Sequence, residues 1–334
     1  MKNENMIGYK GFSLGLSCQG MTYRLGETFS VEGKLEMCSH GLHFCKNPLC
    51  VLAYYPPYDS RYARVVAADE VLQESDPYQD TTKCCARTLT IEMEIDPFDI
   101  AFCAENYMAE HSRRDSKHIY TEVYYEGHVD ATYVKDPYSY WVGRTSLVVG
   151  AEMHTCIRNT GGGVALAVAP FSIATTERCW QGISIAINDH SIARATSGGS
   201  CAITFGNGSM AITEGDHSAT MVGGGSLAIV KGNHSVGITS FRASKIRLDG
   251  DGCVAMAHGD VEVHGRGCFV ILAPGYDRKS TIKSIVGTKL FIPFLDTLVY
   301  TEIVCGVHPA WPAGIKITYK TIMENYLRED QKNV

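Results

Sequence analysis

The alternation of small, apolar and polar positions changes character twice along the chain. In the middle a serine recurs at Ser191, Ser200, Ser209, Ser218, Ser226, Ser235 and Ser244, and Cys253 takes the next place. The spacings are 9, 9, 9, 8, 9, 9 and 9 residues. Residues 206–214 (Gly-Asn-Gly-Ser-Met-Ala-Ile-Thr-Glu) and 223–231 (Gly-Gly-Gly-Ser-Leu-Ala-Ile-Val-Lys) are the clearest units. A fixed short period, with glycine at a corner and β-forming residues after it, predicts a parallel β-solenoid. Glycine supplies the positive-φ corner, and the residues that follow form a short strand.

Side chains alternate between the two faces of a strand, so parity within each unit separates inside from outside. The second and fourth residues after the serine are small or β-branched, as in Ala211 and Thr213, Thr220 and Val222, and Ala228 and Val230. The first and third are larger: Met210 and Ile212, Leu227 and Ile229, Val236 and Ile238. In the unit at 244–248 those same places hold Lys245 and Arg247, which marks the set as outward. The expectation is a narrow interior of Ser, Ala, Thr and Val beneath an outward apolar ladder that continues to Val254 and Met256. Such a ladder is not left in water. It packs against copies of the chain, or residues 1–150 cover it, or the parity is inverted and these residues form the core. Self-association is the leading expectation, in a homo-oligomer with a trimer among the possible forms, and its interface candidates are Met210, Ile212, Leu227, Ile229, Val236 and Ile238.

The corners carry a second recurrence, Asp189-His190-Ser191, Asp216-His217-Ser218 and Asn233-His234-Ser235. Asp and Asn tolerate turn conformations and bond their own backbone, so corner chemistry is expected in place of catalysis. With two units per coil His217 and His234 stack on one edge; with three, His190 and His217 do. A calcium-binding nonapeptide roll has the same period but needs an Asp at a fixed place in every unit, and Asp216 and Asp251 do not recur in that way.

Before the repeat, Ala86–Ile95 alternates as a strand, and Cys38-Ser-His40-Gly-Leu-His43-Phe-Cys45 gathers thiols and imidazoles. Their spacing matches no standard zinc finger, so no metal is expected; Cys38, His40, His43 and Cys45 are the residues that would hold one. After Cys268, alternating segments such as 314–319 read as a cap on the solenoid end, and 323–334 as a short polar helix or tail. The fold class is therefore mostly β: an N-terminal α+β module (1–103), a connector (104–145), a parallel β-solenoid of ~9-residue units (146–273) and a small β cap with a tail (274–334).

Composition narrows the function. Hydrophobic residues are 45% and charged residues 20% of 334, which describes a globular chain with a core. A net charge of −6 argues against a broad electrostatic grip on nucleic acid, and no apolar run is long enough to cross a membrane. Basic and aromatic residues mix in 104–145, from His111 to Tyr140, but seven carboxylates in the same stretch remove any positive field. The opening residues 1–12 lack the apolar core of a signal peptide, so a cytoplasmic protein with free thiols is expected despite its thirteen cysteines. Cys201, Cys253 and Cys268 read as core packing.

Two resemblances follow from the N-terminal residues. Tyr9-Lys10-Gly11-Phe12, Cys18-Gln19-Gly20, Cys38, Gly41, His43, Cys45, Tyr54-Tyr55-Pro56-Pro57 and Arg61-Tyr62-Ala63 resemble an uncharacterised family of phages and bacteria. Members of that family pair such a module with a Gly/Ser/Ala repeat and a β cap. Gly41-Leu42-His43-Phe44 with Ala53-Tyr54, and the opening Tyr9-Lys10-Gly11, are similar to segments of ADP-ribosyltransferases, in which a Glu stabilises the oxocarbenium-like centre; Glu92, Glu94 or Glu122 would take that role. The leading reading is a non-enzymatic oligomerising interaction protein of phage or mobile-element origin. The solenoid is its stalk, the N-terminal module its recognition head, and its partner an unidentified protein, with no cofactor. The alternative is an enzyme or nucleotide binder that uses an N-terminal cleft around Tyr9, His43, Tyr54 and Arg61.

Overall fold

In the computed structural model, residues 5–73, 82–111, 119–124, 129–136, 139–161, 163–178, 181–241 and 243–272 are described, together with strands Thr281–Ser284, Thr288–Phe291, Thr301–Ile303 and Ile315–Thr318. The N-terminal module consists of β1 (Met6–Phe12), β2 (Ser17–Cys18), β3 (Met21–Thr22), β4 (Thr28–Ser30), β5 (Leu42–Cys45), helix α1 (Pro48–Val51), β6 (Arg61–Gln73), β7 (Lys83–Ile95) and helix α2 (Pro97–His111). The long hairpin β6–β7 is closed by β1, which pairs with β6, and by β5, which pairs with β1 and β7. Phe12, Phe44, Val65, Leu89 and Ile91 fill the resulting core.

The middle of the chain is a β-solenoid of about eight parallel turns with two strands in each coil. Successive strands alternate between two parallel sheets. One holds Cys156–Asn159, Ile173–Thr176, Ile192–Ala195, Met210–Thr213, Leu227–Val230, Lys245–Leu248 and Asp260–Val263. The other holds Leu147–Gly150, Val164–Ala167, Ile183–Ala186, Cys201–Thr204, Ala219–Val222, Val236–Thr239, Val254–Ala257 and Phe269–Leu272. The expected parity holds. Ala193, Ala211, Val222, Ala228, Val230 and Leu248 form the dry interior between the sheets.

The serines explain the period. At one edge the Ser172 N–H donates to Ser191 Oγ (3.2 Å), Ser191 N–H to Ser209 Oγ (3.1 Å) and Ser209 N–H to Ser226 Oγ (3.2 Å). At the other edge Ser200 N–H donates to Ser218 Oγ (3.3 Å) and Ser218 N–H to Ser235 Oγ (2.9 Å). Each buried corner N–H that the tight turn removes from the ladder thus finds an acceptor one coil away. Cys253 and Cys268 continue the second column, fully buried as expected, whereas Cys201 sits on a strand's outer face, half-buried; the core assignment fails for it because it occupies the first position after Ser200.

The residue before the corner serine is left-handed: His190, His217 and His234 have φ of 55°, 56° and 51°. Two strands per coil put His217 over His234 at 5.5 Å between centroids, and Phe171 over His190 at 5.2 Å. Gly208 takes the next left-handed place above His190, where a Cβ would fall 2.6 Å from the imidazole. The corner carboxylates and amides differ from expectation in their acceptor role. Asp189, Asp216, Asn233 and Asp251 each receive a backbone N–H from the next coil at 2.7–2.8 Å, so they clamp coils together.

Antiparallel strands end the parallel stack. Ile119–Tyr124 pairs with Val129–Val134 at the start, and Thr301–Ile303 and Ile315–Thr318 pair with the last parallel strands, which agrees with the expected cap. Residues 104–145, expected as a connector, supply the end of α2 and the first solenoid strands, Val129–Val134 and Tyr140–Gly143. The proposed terminal helix at 323–334 lies outside the described residues.

The module packs on one sheet of the solenoid. Leu49, Leu52, Ile100 and Met108 of α1, α2 and the turn between β5 and β6 cover Ile173, Ile192, Met210, Ile212, Leu227 and Ile229. Each of those six is 0–2% exposed, a burial worth about 1.5–3 kcal/mol apiece. Polar contacts fix the register. Glu105 of α2 accepts from Arg194 (3.1 and 3.2 Å) and from Thr175 (2.7 Å), and Arg194 also holds Glu214 at 2.7 Å while stacked 3.9 Å from the Phe102 ring. Farther along, where the module ends, outward positions become charged: Lys245 pairs with Glu262, and Arg247 with Asp96 (2.6 Å) and Asp249 (2.8 Å). Four of the interface candidates, Met210, Ile212, Leu227 and Ile229, are therefore corrected: the chain's own helices cover them. Val236 and Ile238 lie on the opposite sheet.

Candidate functional site

Two features stand out among the described residues: a cavity in the N-terminal module and the solenoid sheet that α1 and α2 leave uncovered. The cavity, of about 350 Å³, is lined by β1, β5, the start of β7 and the segment after α1. Tyr9, His43 and Tyr54, three of the four ligand candidates, stand in its wall together with Lys10, Tyr55 and Lys83. Arg61 does not. It lies on the outside of the hairpin, where it grips Glu94 through two bonds of 2.6 Å.

Local sequence places these groups. Tyr55 closes over β1 because Gly11 has no side chain; a Cβ there would fall 2.5 Å from the Tyr55 ring. The fully buried Tyr62 hydroxyl donates to the Tyr55 carbonyl at 2.7 Å and fixes that loop. Asn47 caps α1 by accepting from the Leu49 N–H at 3.0 Å, with Pro48 at the first helical position. Cys38, left-handed at φ 65°, donates its N–H to His43 Nε2 at 3.0 Å, so the neutral imidazole carries its proton on Nδ1. Burial, with Lys10 and Lys83 adding to it, holds His43 below its ordinary value. Lys83 donates to Cys38 Sγ at 2.9 Å and stands over the Tyr54 ring, 5.5 Å from its centroid. Burial raises the Tyr9 and Tyr55 hydroxyls above their ordinary value, with neighbouring thiols contributing, so both remain donors.

Lys10 is only 4% exposed. Its ammonium donates to the His43 carbonyl at 2.8 Å and to Cys18 Sγ at 3.4 Å, and it lies 5.3 and 5.6 Å from the centroids of the Tyr23 and Phe12 rings. Burial pulls it below the usual lysine value of 10.5, opposed by Cys18, Cys45 and Cys85. Among the described residues no carboxylate pairs with it, and none lines the cavity.

The candidate metal ligands do not converge. His43 Nε2 is committed to the Cys38 N–H, His40 Nε2 lies 2.6 Å from the Glu32 carbonyl, and burial holds the Cys45 thiol well above its ordinary value. Among the described residues no group of three or more His, Cys, Asp or Glu side chains gathers. Of the glutamates suggested by transferase similarity, Glu92 pairs with Arg64 and Glu94 with Arg61, both away from the cavity; the side chain of Glu122 lies outside the described residues.

On the uncovered sheet, eight strands from Leu147–Gly150 to Phe269–Leu272 point their first and third residues outward. Every one of these positions is apolar, from Leu147 and Val149 to Phe269 and Ile271, and none is fully buried. Ile183 is 37% and Met256 42% exposed, and on the adjacent corners Phe205 and Phe241 reach 55% and 60%. No helix among the described residues is long and apolar enough to cross a membrane.

Residues 6–101, the module without the end of α2, match a family described as a domain of unknown function (DUF7666). No curated protein and no solved structure matches the chain. The N-terminal domain is thus one of unknown function, joined here to a β-solenoid.

Proposed function

We propose that the chain is a non-enzymatic assembly protein, in which two copies pair through their uncovered solenoid sheets and carry the N-terminal modules outward as recognition heads. The reading is carried by the unbroken apolar outward face. The fold does not demand it: on the other sheet, strands beyond the apolar seat of α1 and α2 place Lys245, Arg247 and Glu262 at outward positions. From Leu147–Gly150 to Phe269–Leu272 the eight parallel strands of that sheet place no charged residue at an outward position, as a surface withdrawn from water does.

A second copy suits this face in area and in spacing. Eight strands about 4.8 Å apart, four residues each at about 3.3 Å, make a rectangle of about 500 Å² per copy. Pairing two buries about 1,000 Å², the lower bound for a specific interface, before the corner phenylalanines are counted. Side chains recurring at strand spacing present the same lattice to a partner related by a two-fold axis. A flat face closes a dimer, whereas a trimer requires a wedge. The resemblance to a phage and bacterial family fits an assembly role of this kind.

The test is the native mass of the full chain by light scattering. Twice the chain mass of 36.5 kDa is expected, falling to 36.5 kDa in the double variant Ile203→Glu, Ile238→Glu with its melting behaviour retained. A wild-type monomer at micromolar concentration overturns the reading.

A further inference from the structure

The uncovered sheet is regular in register but not in height. Its outward residues form two columns, the first and the third of each strand, kept in line by the parallel pairing. In the first column Cys201 and Ala219 are the smallest side chains, set between Ile183 and Val236. In the third column the same two strands carry Ile203 and Met221. These strands are the middle pair of the eight parallel strands and of the whole twelve-stranded sheet. A depression and a ridge therefore lie side by side at the centre of the face. The solenoid interior does not set these sizes, because both columns point away from it.

Two copies of one face meet about a two-fold axis in the plane of contact, and the axis has two natural directions. Laid along the strands, it runs the solenoids head to tail and opposes first column to first. Cys201 then meets the partner's Ala219 across a hollow, and Ile203 meets the partner's Met221 where both are large. Hollows and crowded contacts each weaken an interface. Laid along the solenoid, the axis runs both copies in the same direction and turns each strand against its own copy, first residue to third. Ala219 then receives the partner's Met221, and Cys201 the partner's Ile203.

We propose that two copies pair in this second way, with Ala219 and Cys201 as sockets and Met221 and Ile203 as the knobs that set direction and register. The inference rests on the pairing of uncovered sheets and adds its orientation. The matched residues lie at the centre of the face, so they stay opposed if the sheets cross at about 30°. Methionine, unbranched and adaptable, suits the deepest socket. The outward cysteine at 201 is explained by the same contact, since a larger residue there would meet the partner's Ile203. The assembly is polar: both caps come to one end, and the modules stand on its two outer flanks.

Two single variants of the full chain and their mixture test the orientation. Ala219→Met fills the socket and sets methionine against methionine; Met221→Ala removes the knob and sets alanine against alanine. Each raises the dimer dissociation constant about tenfold or more in sedimentation equilibrium. Mixed in equal amounts, the variants form heterodimers in which every socket again meets a knob, and the constant returns to within about threefold of the wild type. Crowding within one strand cannot be relieved by another chain, so the mixture reads the contact between copies. Cys201→Ile and Ile203→Ala repeat the design one strand earlier, should either first variant fail to fold. The orientation is overturned if either variant dimerises as tightly as the wild type, or if mixing restores nothing. Tighter pairing of Ala219→Met is the head-to-tail result, because the methionine fills a hollow there. A wild-type chain that stays monomeric overturns the pairing itself.

Discussion

The solenoid has two faces made from one repeat, and they have met opposite fates. Ile212 and Ile229 on one sheet and Ile203 and Ile238 on the other occupy the same place in their units, are the same residue, and point outward by the same parity. The first pair is fully buried under α1 and α2; the second is left half-exposed. What distinguishes them is the company each sheet keeps. A repeat prescribes which side chains leave the coil, and the rest of the chain decides whether they meet protein or solvent.

The difference breaks most visibly under a lysine placed on each face. Ile229→Lys puts an ammonium into the docked interface and costs more than about 4 kcal/mol, read as a lowered urea midpoint or as detachment of the module. Ile238→Lys costs less than about 1 kcal/mol in the same unfolding experiment, since the fold already carries Lys245 at an equivalent position, and its effect falls on native mass. Equal losses at the two sites would mean that the faces are not distinct.

Next in size is the ion pair that locks α2 onto the covered sheet. Glu105→Ala leaves Arg194 buried with Glu214 as its remaining carboxylate and costs about 3–5 kcal/mol by chemical denaturation. A corner clamp is worth less. Asp216→Ala removes the acceptor for the Asn233 N–H, a loss of about 1 kcal/mol in the melting curve.

The smallest effect is one of pH and belongs to the charged end of the covered sheet. Burial opposes protonation of His264, but Asp249 at 3.1 Å and Glu262 at 3.3 Å outweigh it and raise its pKa from 6.5 to about 9. A base whose folded value is raised contributes stability fully below its unfolded value of 6.5 and loses it as pH climbs through about 9. Unfolding free energy of the wild type therefore declines between pH 6.5 and 9 relative to His264→Gln, and parallel profiles would remove the network from the account.

Much of this architecture is legible in the residues because the repeat is local. Period, corner and parity need only neighbours within nine positions, and the stacking of His217 on His234 follows once two strands make a coil. The allocation of strands to sheets is not local in that sense. Met210 and Val236 share a parity but fall on different sheets, so a single ladder was an over-reading of an in-or-out signal. The cavity shows the same limit. Tyr9, His43 and Tyr54 stand out through their motifs, while Lys83 reaches the site because β7 pairs it opposite Cys45, a register that no nearby residue announces. Lys10 was visible as a lysine in an opening motif; its isolation from every described carboxylate is a property of the folded module alone.

Alternation between sheets makes the solenoid count in pairs. A whole coil inserted beyond Val263 would push the cap outward by about 4.8 Å, lengthen both faces equally and leave the seat of α1 and α2 untouched. Insertion of one nine-residue unit before Ser244 would instead send each later strand to the opposite sheet, carrying Lys245 and Arg247 onto the apolar side and parting Arg247 from Asp96. Viable length variants of this chain therefore differ by even numbers of units, and the solenoid is a ruler graduated in coils.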